Sequence, residues 1–296
     1  MQKWLVSALM MSSQTDHSHE MDTIPDYQHP IAFSKIIFGE LFMKFLYLIL
    51  MISVMFFSST VFSANTTQIP ILCYHNLNPT VPGSMSLTPQ KFESQIQWLK
   101  DNGFQVISLK EAVQYLEGKR DSIPAKPVVI TADDGWESVY VYMYPIIKKY
   151  QIPVTLFIYP GTISDGKHAM TWQQLTELQN TGLFDIQSHT YWHPNFKQMR
   201  KKLSPDAYDK FTDNELVKSK KVLEEKMNKK IDYLAWPFGI YDKFLEAKAA
   251  DAGYEMAFTI DARKANKSDR AMAEPRYMII DDYSLKGFSA IVNQPK

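Results

Sequence analysis

Between Lys126 and Trp136 the chain reads K-P-V-V-I-T-A-D-D-G-W, and this stretch limits the fold more tightly than any other. Val128, Val129 and Ile130 form an unbroken β-branched run after Pro127. Apolar residues at every position, without alternation, are the pattern of a strand covered on both faces. The strand ends in Thr131, Ala132, two adjacent acids, Asp133 and Asp134, and then Gly135. Like charges side by side repel, and desolvation raises their pKa, so two acids at one strand end call for a reason. From this stretch alone, an Asp-Gly turn that simply takes φ > 0 explains them equally well.

The balance shifts at Ser188 to Asn195, S-H-T-Y-W-H-P-N, which follows a short apolar strand over 184–187. His189 and His193 are four residues apart. Two imidazoles and a carboxylate from separate strand ends make three facial ligands for a divalent metal, with positions left for water. A lone histidine is more often structural, but two at this spacing beside an Asp pair favour a metal site. Zinc suits such donors, and cobalt, nickel or iron(II) satisfy the same rules.

These two motifs resemble those of the polysaccharide deacetylases with a NodB homology domain, carbohydrate esterase family four. The family's first motif is T-F-D-D-G and its second H-[ST]-x-x-H. Thr131 to Gly135 and His189 to His193 match both, with Ala132 in place of the Phe. The resemblance runs from about Pro70 to near the C-terminus and is nearest to the branch acting on poly-N-acetylglucosamine exopolysaccharide. It implies an α/β fold, a distorted (β/α) barrel with fewer than eight repeats. It also implies a hydrolase that removes N-acetyl groups from an N-acetylglucosamine-containing polysaccharide. By match of motifs, Asp134, His189 and His193 hold one divalent metal and Asp133 is the general base. The third motif, R-x-P-[YF]-G, is met by Ala235 to Gly239, which assigns the Phe238 backbone N–H to an oxyanion hole. Ala235 stands where the family has Arg.

The family's general acid is a His in a C-terminal motif, yet no histidine follows His193. His75, at the end of the first strand, and His168, in a polar loop, are the candidates to replace it. In a closed barrel the first and last strands are neighbours, so His75 can fill the vacant place. By the same reasoning Arg276 enters from the last strand and replaces the charge lost at Ala235, holding down the pKa of Asp133. The plainer alternative packs His75 under a loop and pairs Arg276 with Glu274 or Asp281 at the surface.

From Pro70 onward, short apolar runs alternate with amphipathic helices, which implies a parallel sheet with helices outside. Strands are expected at 71–74, 105–109, 128–132, 154–159, 184–187, 233–236, 256–260 and 277–280. Thr88-Pro89, Ser108 with Glu111, Thr171 with Gln174, and Thr212 with Glu215 read as helix starts. Asp133, Asp134, His189 and His75 then all lie at carboxyl ends of strands, where such folds gather their chemistry.

The N-terminus divides differently. Residues 1–42 lack periodicity and read as a disordered or spurious extension, with Met43-Lys44 a second start. Phe45 to Phe57 is an apolar run followed by small polar residues and Val61-Phe62-Ser63, the layout of a signal peptide over 43–63. Cleavage would leave a mature chain beginning near Ala64; without it, 45–62 would tether the protein to a membrane. Either way the domain at 70–296 lies outside the cytoplasm, periplasmic or secreted.

The 32 basic and 32 acidic residues cancel, and no basic block exists to bind nucleic acid. The expected partner is an acetylated glycan polymer, and the expected state a monomer. Cys73, the single cysteine, excludes an internal disulfide and reads as a buried, inert thiol. A catalytically silent carbohydrate-binding relative is the alternative, using Tyr191, Trp192, Trp236 and Tyr241 as sugar platforms and citing Ala132 and Ala235. An O-deacetylase using the same site is a further one. Retention of both Asp133 and the ligand trio favours the enzyme, since a binding module needs no base.

Overall fold

The computed structural model describes residues 42–49 and 67–293, apart from 81, 82 and 84. Residues 42–49 form a short exposed helix, α1. The rest of the proposed signal, with its Val61-Phe62-Ser63 end, lies outside the described residues, as do residues 1–41. Among the described residues no helix is long and apolar enough to cross a membrane.

The second compact unit spans Ala64–Lys296. It opens with β1 (Ile71–Tyr74), the short pair β2 (Asn76–Leu77) and β3 (Ser86–Leu87), and α2 (Pro89–Asp101). β4 (Gln105–Val106), α3 (Leu109–Leu116), β5 (Pro127–Asp133), α4 (Tyr144–Tyr150), β6 (Val154–Ile158) and α5 (Trp172–Asn180) follow. Then come β7 (Phe184–Ser188), α6 (Phe196–Lys202), α7 (Pro205–Met227), β8 (Tyr233–Ala235) and α8 (Lys243–Asp251). β9 (Met256–Phe258), β10 (Tyr277–Met278) and α9 (Leu285–Asn293) complete it.

The strands are parallel and ordered β10-β1-β5-β6-β7-β8-β9, with β4 also on β5. The segment leading into β10 reaches back to β9 through a parallel bridge between Phe258 and Glu274. The last strand therefore lies between the first and the penultimate, as a distorted barrel of fewer than eight repeats requires.

Side-chain alternation sorts the strands into two cores. Leu72, Val128, Ile130, Ala132, Leu156, Ile186 and Leu234 face the helices. Ile71, Val129, Phe157, Tyr233, Ala235 and Phe258 fill the interior. On β5 the interior positions continue through Thr131 to Asp133, so the pleat delivers one of the two acids into the barrel. Ala132 packs in the outer layer, so the missing aromatic ring of the first motif is a matter of sheet–helix packing.

Several expected boundaries move, β9 and β10 each ending two residues early, and two of the shifts have a clear cause. β4 stops at Val106 because the Ser108–Glu111 capping box already turns the chain into α3. The longest helix starts at Pro205, not near Thr212, since Ser204 caps it and Pro205 takes the first position, where no N–H is needed. Thr212 instead donates to the Tyr208 carbonyl within the helix, and the Glu215 side chain leaves the helix altogether.

Candidate active site

The site forms where β1, β5 and β7 end, with the Arg276 side chain reaching it from the residue just before β10. At the end of β5 the two acids part. Asp133 faces the interior and is buried, while Asp134 takes φ +77° and Gly135 φ +80°. Asp is among the few residues other than glycine that tolerate this left-handed region. The Asp-Gly turn and the acid pair are thus one feature. The turn's geometry sends the second carboxylate out of the barrel.

Asp133 is held on all sides. Arg276 donates to Oδ1 at 2.8 Å and to Oδ2 at 2.7 Å, a bidentate pair. The Cys73 thiol donates to Oδ2 at 3.3 Å. Arg276 also donates to the Thr131 hydroxyl at 3.1 Å and the Thr259 carbonyl at 3.0 Å, and its guanidinium lies 5.1 Å from the Phe157 ring centroid. Burial raises the pKa of Asp133, but the opposed charge of Arg276, then His189, outweighs it and holds the carboxyl well below the usual range. The surface pairing of Arg276 with Glu274 or Asp281 does not occur; the guanidinium is fully buried.

Asp134 has the opposite surroundings. Its Oδ2 accepts from the Trp136 indole N–H at 3.0 Å. Its Oδ1 is buried without a hydrogen-bond partner, at 3.6 Å from both His189 Nε2 and His193 Nε2. The Ala235 carbonyl accepts from His189 Nδ1 at 2.7 Å, which leaves the Nε2 lone pair facing Asp134. Burial, then the nearby His189, lower the pKa of His193 to about 4, so its ring is neutral at neutral pH. The donor set fits a divalent ion: one buried carboxylate oxygen and two imidazole nitrogens, all within 4.8 Å of one another.

His75 joins the other side of the cluster. Cys73 Sγ, a His75 ring nitrogen and an Asp133 oxygen lie within 4.8 Å of one another. Burial lowers the pKa of His75 while Asp133 and Asp134 oppose that shift. His168 stays outside the cluster, exposed, with its ring stacked on Trp136 at 6.5 Å. Phe238 has φ +57° and is 56% exposed, and its ring centroid lies 4.6 Å from that of His193. Among the proposed sugar platforms, Trp192 is 55% exposed, but Trp236 is wholly buried and donates to the Met272 carbonyl, so it can stack on no ligand. Alternation along β8 could have placed Trp236 with Leu234 on the outer layer.

Sequence reasoning missed three contributors. Trp136 gives no motif signal of its own. Cys73 is buried as expected, yet its thiol points at Asp133. Glu215 was masked by its fit to a capping box. Its signal was there: Thr212, Glu215 and Ser219 interrupt an otherwise apolar stripe through Tyr208, Leu216, Leu223 and Met227.

The chain belongs to the polysaccharide deacetylase family. A family profile described as polysaccharide deacetylase matches residues 120–257. Within that family it is similar to the poly-beta-1,6-N-acetyl-D-glucosamine N-deacetylase of Staphylococcus aureus, at 30% identity over 201 residues, 67% of this chain and 69% of the relative. The deacetylase PplD of Streptococcus pyogenes, solved in complex with acetate, is 27% identical with a TM-score of 0.69, covering 77% of this chain and all of PplD. IcaB from Ammonifex degensii is 26% identical with a TM-score of 0.68, covering 76% of this chain and 97% of IcaB. The protein is therefore an enzyme that deacetylates polysaccharide, close to the poly-N-acetylglucosamine deacetylases.

Proposed function

We propose that this chain is an extracytoplasmic, metal-dependent N-deacetylase of a poly-N-acetylglucosamine polymer. The observation that carries the reading is Asp134 Oδ1, buried without a partner and equidistant from two imidazole nitrogens, beside a second carboxylate neutralised by a fixed cation. Asp134, His189 and His193 would hold one divalent ion, most readily zinc. Such an ion supplies Lewis-acid activation of the amide carbonyl and of water.

The remaining work falls to the chain's own residues. Asp133, kept ionised and oriented by Arg276, accepts the proton of the attacking water. His75 is neutral at rest, so the proton it passes to the leaving amine is the one released by that water and relayed past Asp133. The Phe238 N–H donates to the oxygen that gains charge as the amide carbonyl is attacked. The products are acetate and a glucosamine unit carrying an ammonium group. The segment at 43–63 directs export and is removed, which leaves the domain at 70–296 to meet an extracellular glycan.

Acetate release tests this reading. Protein recovered from the exported fraction should begin near Ala64 and release acetate from poly-N-acetylglucosamine. It should lose that activity on metal stripping and regain it with zinc. Undiminished activity in the stripped protein, or in the His189→Ala, His193→Ala double variant, would sink the metal assignment.

A further inference from the structure

The turn that carries both histidines is held from outside by the long helix. We propose that Glu215 and Ser219, one helical turn apart on α7, are positioning residues that set the His189–His193 turn for binding a divalent ion. The proposal rests on the reading of those histidines as metal ligands.

The turn needs holding. Thr190 has φ +64° and His193 φ +54°. Residues with a Cβ persist in such conformations only where their surroundings impose them. Of the three peptide units between these residues, the first two are each fixed at both ends, and the N–H of the third, from His193, donates to the Thr190 hydroxyl at 3.2 Å. The Thr190 carbonyl accepts from Ser219 Oγ at 2.9 Å, and the N–H of the same unit, from Tyr191, donates to Glu215 Oε2 at 3.0 Å. The Tyr191 carbonyl accepts from the Gly161 N–H at 2.9 Å, and the Trp192 N–H donates to the same Glu215 oxygen at 2.8 Å. Neither of these first two units can rotate without breaking bonds at both of its ends.

The supports are themselves fixed. Glu215 and Ser219 are buried. Ser219 also shares a 2.8 Å hydrogen bond with Ser188, which accepts in turn from the Tyr254 hydroxyl at 2.8 Å. Gly161 lies against the Trp192 ring so closely that a Cβ there would come within 2.4 Å of Cε3. A carboxylate in the apolar stripe of a helix is costly to bury, and its two backbone donors offset that cost only if the turn adopts this shape. Helix and turn therefore specify one another, and the spacing of the two imidazole nitrogens follows from both.

The test measures the metal directly. Zinc affinity is determined by chelator competition for the wild type, Glu215→Gln and Ser219→Ala, alongside the visible spectrum of the cobalt(II)-loaded proteins. Glu215→Gln keeps the shape of the side chain and can offer its one amide oxygen to both N–H groups, but it loses the charge that strengthens these bonds and puts an NH₂ in place of the second carboxylate oxygen. Its zinc dissociation constant should rise about 10-fold, the lower end of what weakened support of metal ligands costs. Ser219→Ala, which loses one neutral bond to the turn, should weaken zinc about 2- to 10-fold. The cobalt bands of Glu215→Gln should shift while its far-ultraviolet circular dichroism matches the wild type. Unchanged affinity and an unchanged cobalt spectrum in both variants would overturn the proposal. Should Glu215→Gln not fold, wild-type affinity in Ser219→Ala alone overturns it. A wild type that takes up neither zinc nor cobalt overturns the ligand reading beneath it, a distinct result.

Discussion

Asp133 and Asp134 are joined by one peptide bond, yet they occupy opposite environments. Both oxygens of Asp133 are engaged, by a guanidinium and a thiol that are themselves buried. Asp134 is partly exposed, has one oxygen on an indole N–H, and turns the other, without a partner, toward two imidazoles. Two like charges at a strand end would repel, and Asp133 is neutralised by a cation built into the chain. Under the proposed function, Asp134 would be neutralised by one taken up from solution. A single change of φ between them, from extended strand to +77°, separates the two roles.

The largest expected effect comes from making the two acids alike. Asp133→Asn should retain zinc and lose about two or more orders of magnitude in acetate release, the usual worth of a general base. Asp134→Asn should lose zinc and, with it, the activity. Metal analysis and rate together separate the two outcomes. Full activity in Asp133→Asn, or full zinc content in Asp134→Asn, would show that the division of labour is drawn in the wrong place.

Arg276→Lys asks whether Asp133 needs a charge or a fork. Lysine restores the charge but not two parallel N–H donors, and removing a partner from a buried pair is costly, about 3–5 kcal/mol when no cation remains. The variant should fold and lose about tenfold in rate, the equivalent of roughly 1.4 kcal/mol in the barrier. The sign of its pH dependence follows from the depressed pKa of Asp133. A carboxyl whose folded pKa lies below its unfolded value contributes stability above the unfolded pKa, and loses it as pH falls through the folded one. A weaker cation narrows that window from below. Acid unfolding of Arg276→Lys should therefore begin at a higher pH than in the wild type. Coincident acid transitions would mean that the pairing adds nothing to stability.

Much of this contrast was legible in the sequence. The apolar run before Asp133 announced a buried strand, while the separate roles of the two acids came only from the family resemblance. His189 and His193 announced themselves by spacing. The neighbouring first and last strands put His75 and Arg276 near one another as expected, but Arg276 stands at the start of β10, so only its long side chain brings the guanidinium to Asp133. What stayed hidden depended on contacts that spacing does not encode. Thr212 and Glu215 matched a capping box, but Ser204-Pro205 offered a better start, and Glu215 went to a turn 24 residues away in sequence. Trp236 was offered as a platform under the silent-relative alternative, yet the strand's alternation buries it beside Leu234. Cys73 was expected to be inert because its strand is apolar. Its partner comes from β5, 60 residues on.

That thiol gives the smallest and most specific test. Cys73 is fully buried, and burial, with the adjacent carboxylates, raises its pKa well above the ordinary thiol value, so it is an S–H donor at any working pH. A donor to Asp133 Oδ2 stabilises the ionised carboxylate and disfavours the protonated one. Cys73→Ala removes that donor while the Arg276 fork remains, so the base should stay ionised near neutrality with its orientation slightly loosened. One hydrogen bond to a charged group is worth about 1.5–3 kcal/mol at most, and sulfur is a weaker donor than nitrogen or oxygen. The expected loss in kcat is therefore only a few-fold, with KM and zinc content unchanged. Removing a donor raises the pKa of Asp133, so the acid limb of the pH–rate profile should move to higher pH. Cys73→Ser should recover part of the loss, because a hydroxyl donates to the same oxygen. If Cys73→Ala is as active as the wild type across the whole acid limb, Asp133 is held by Arg276 alone. The thiol is then the passive filler that its apolar strand implied.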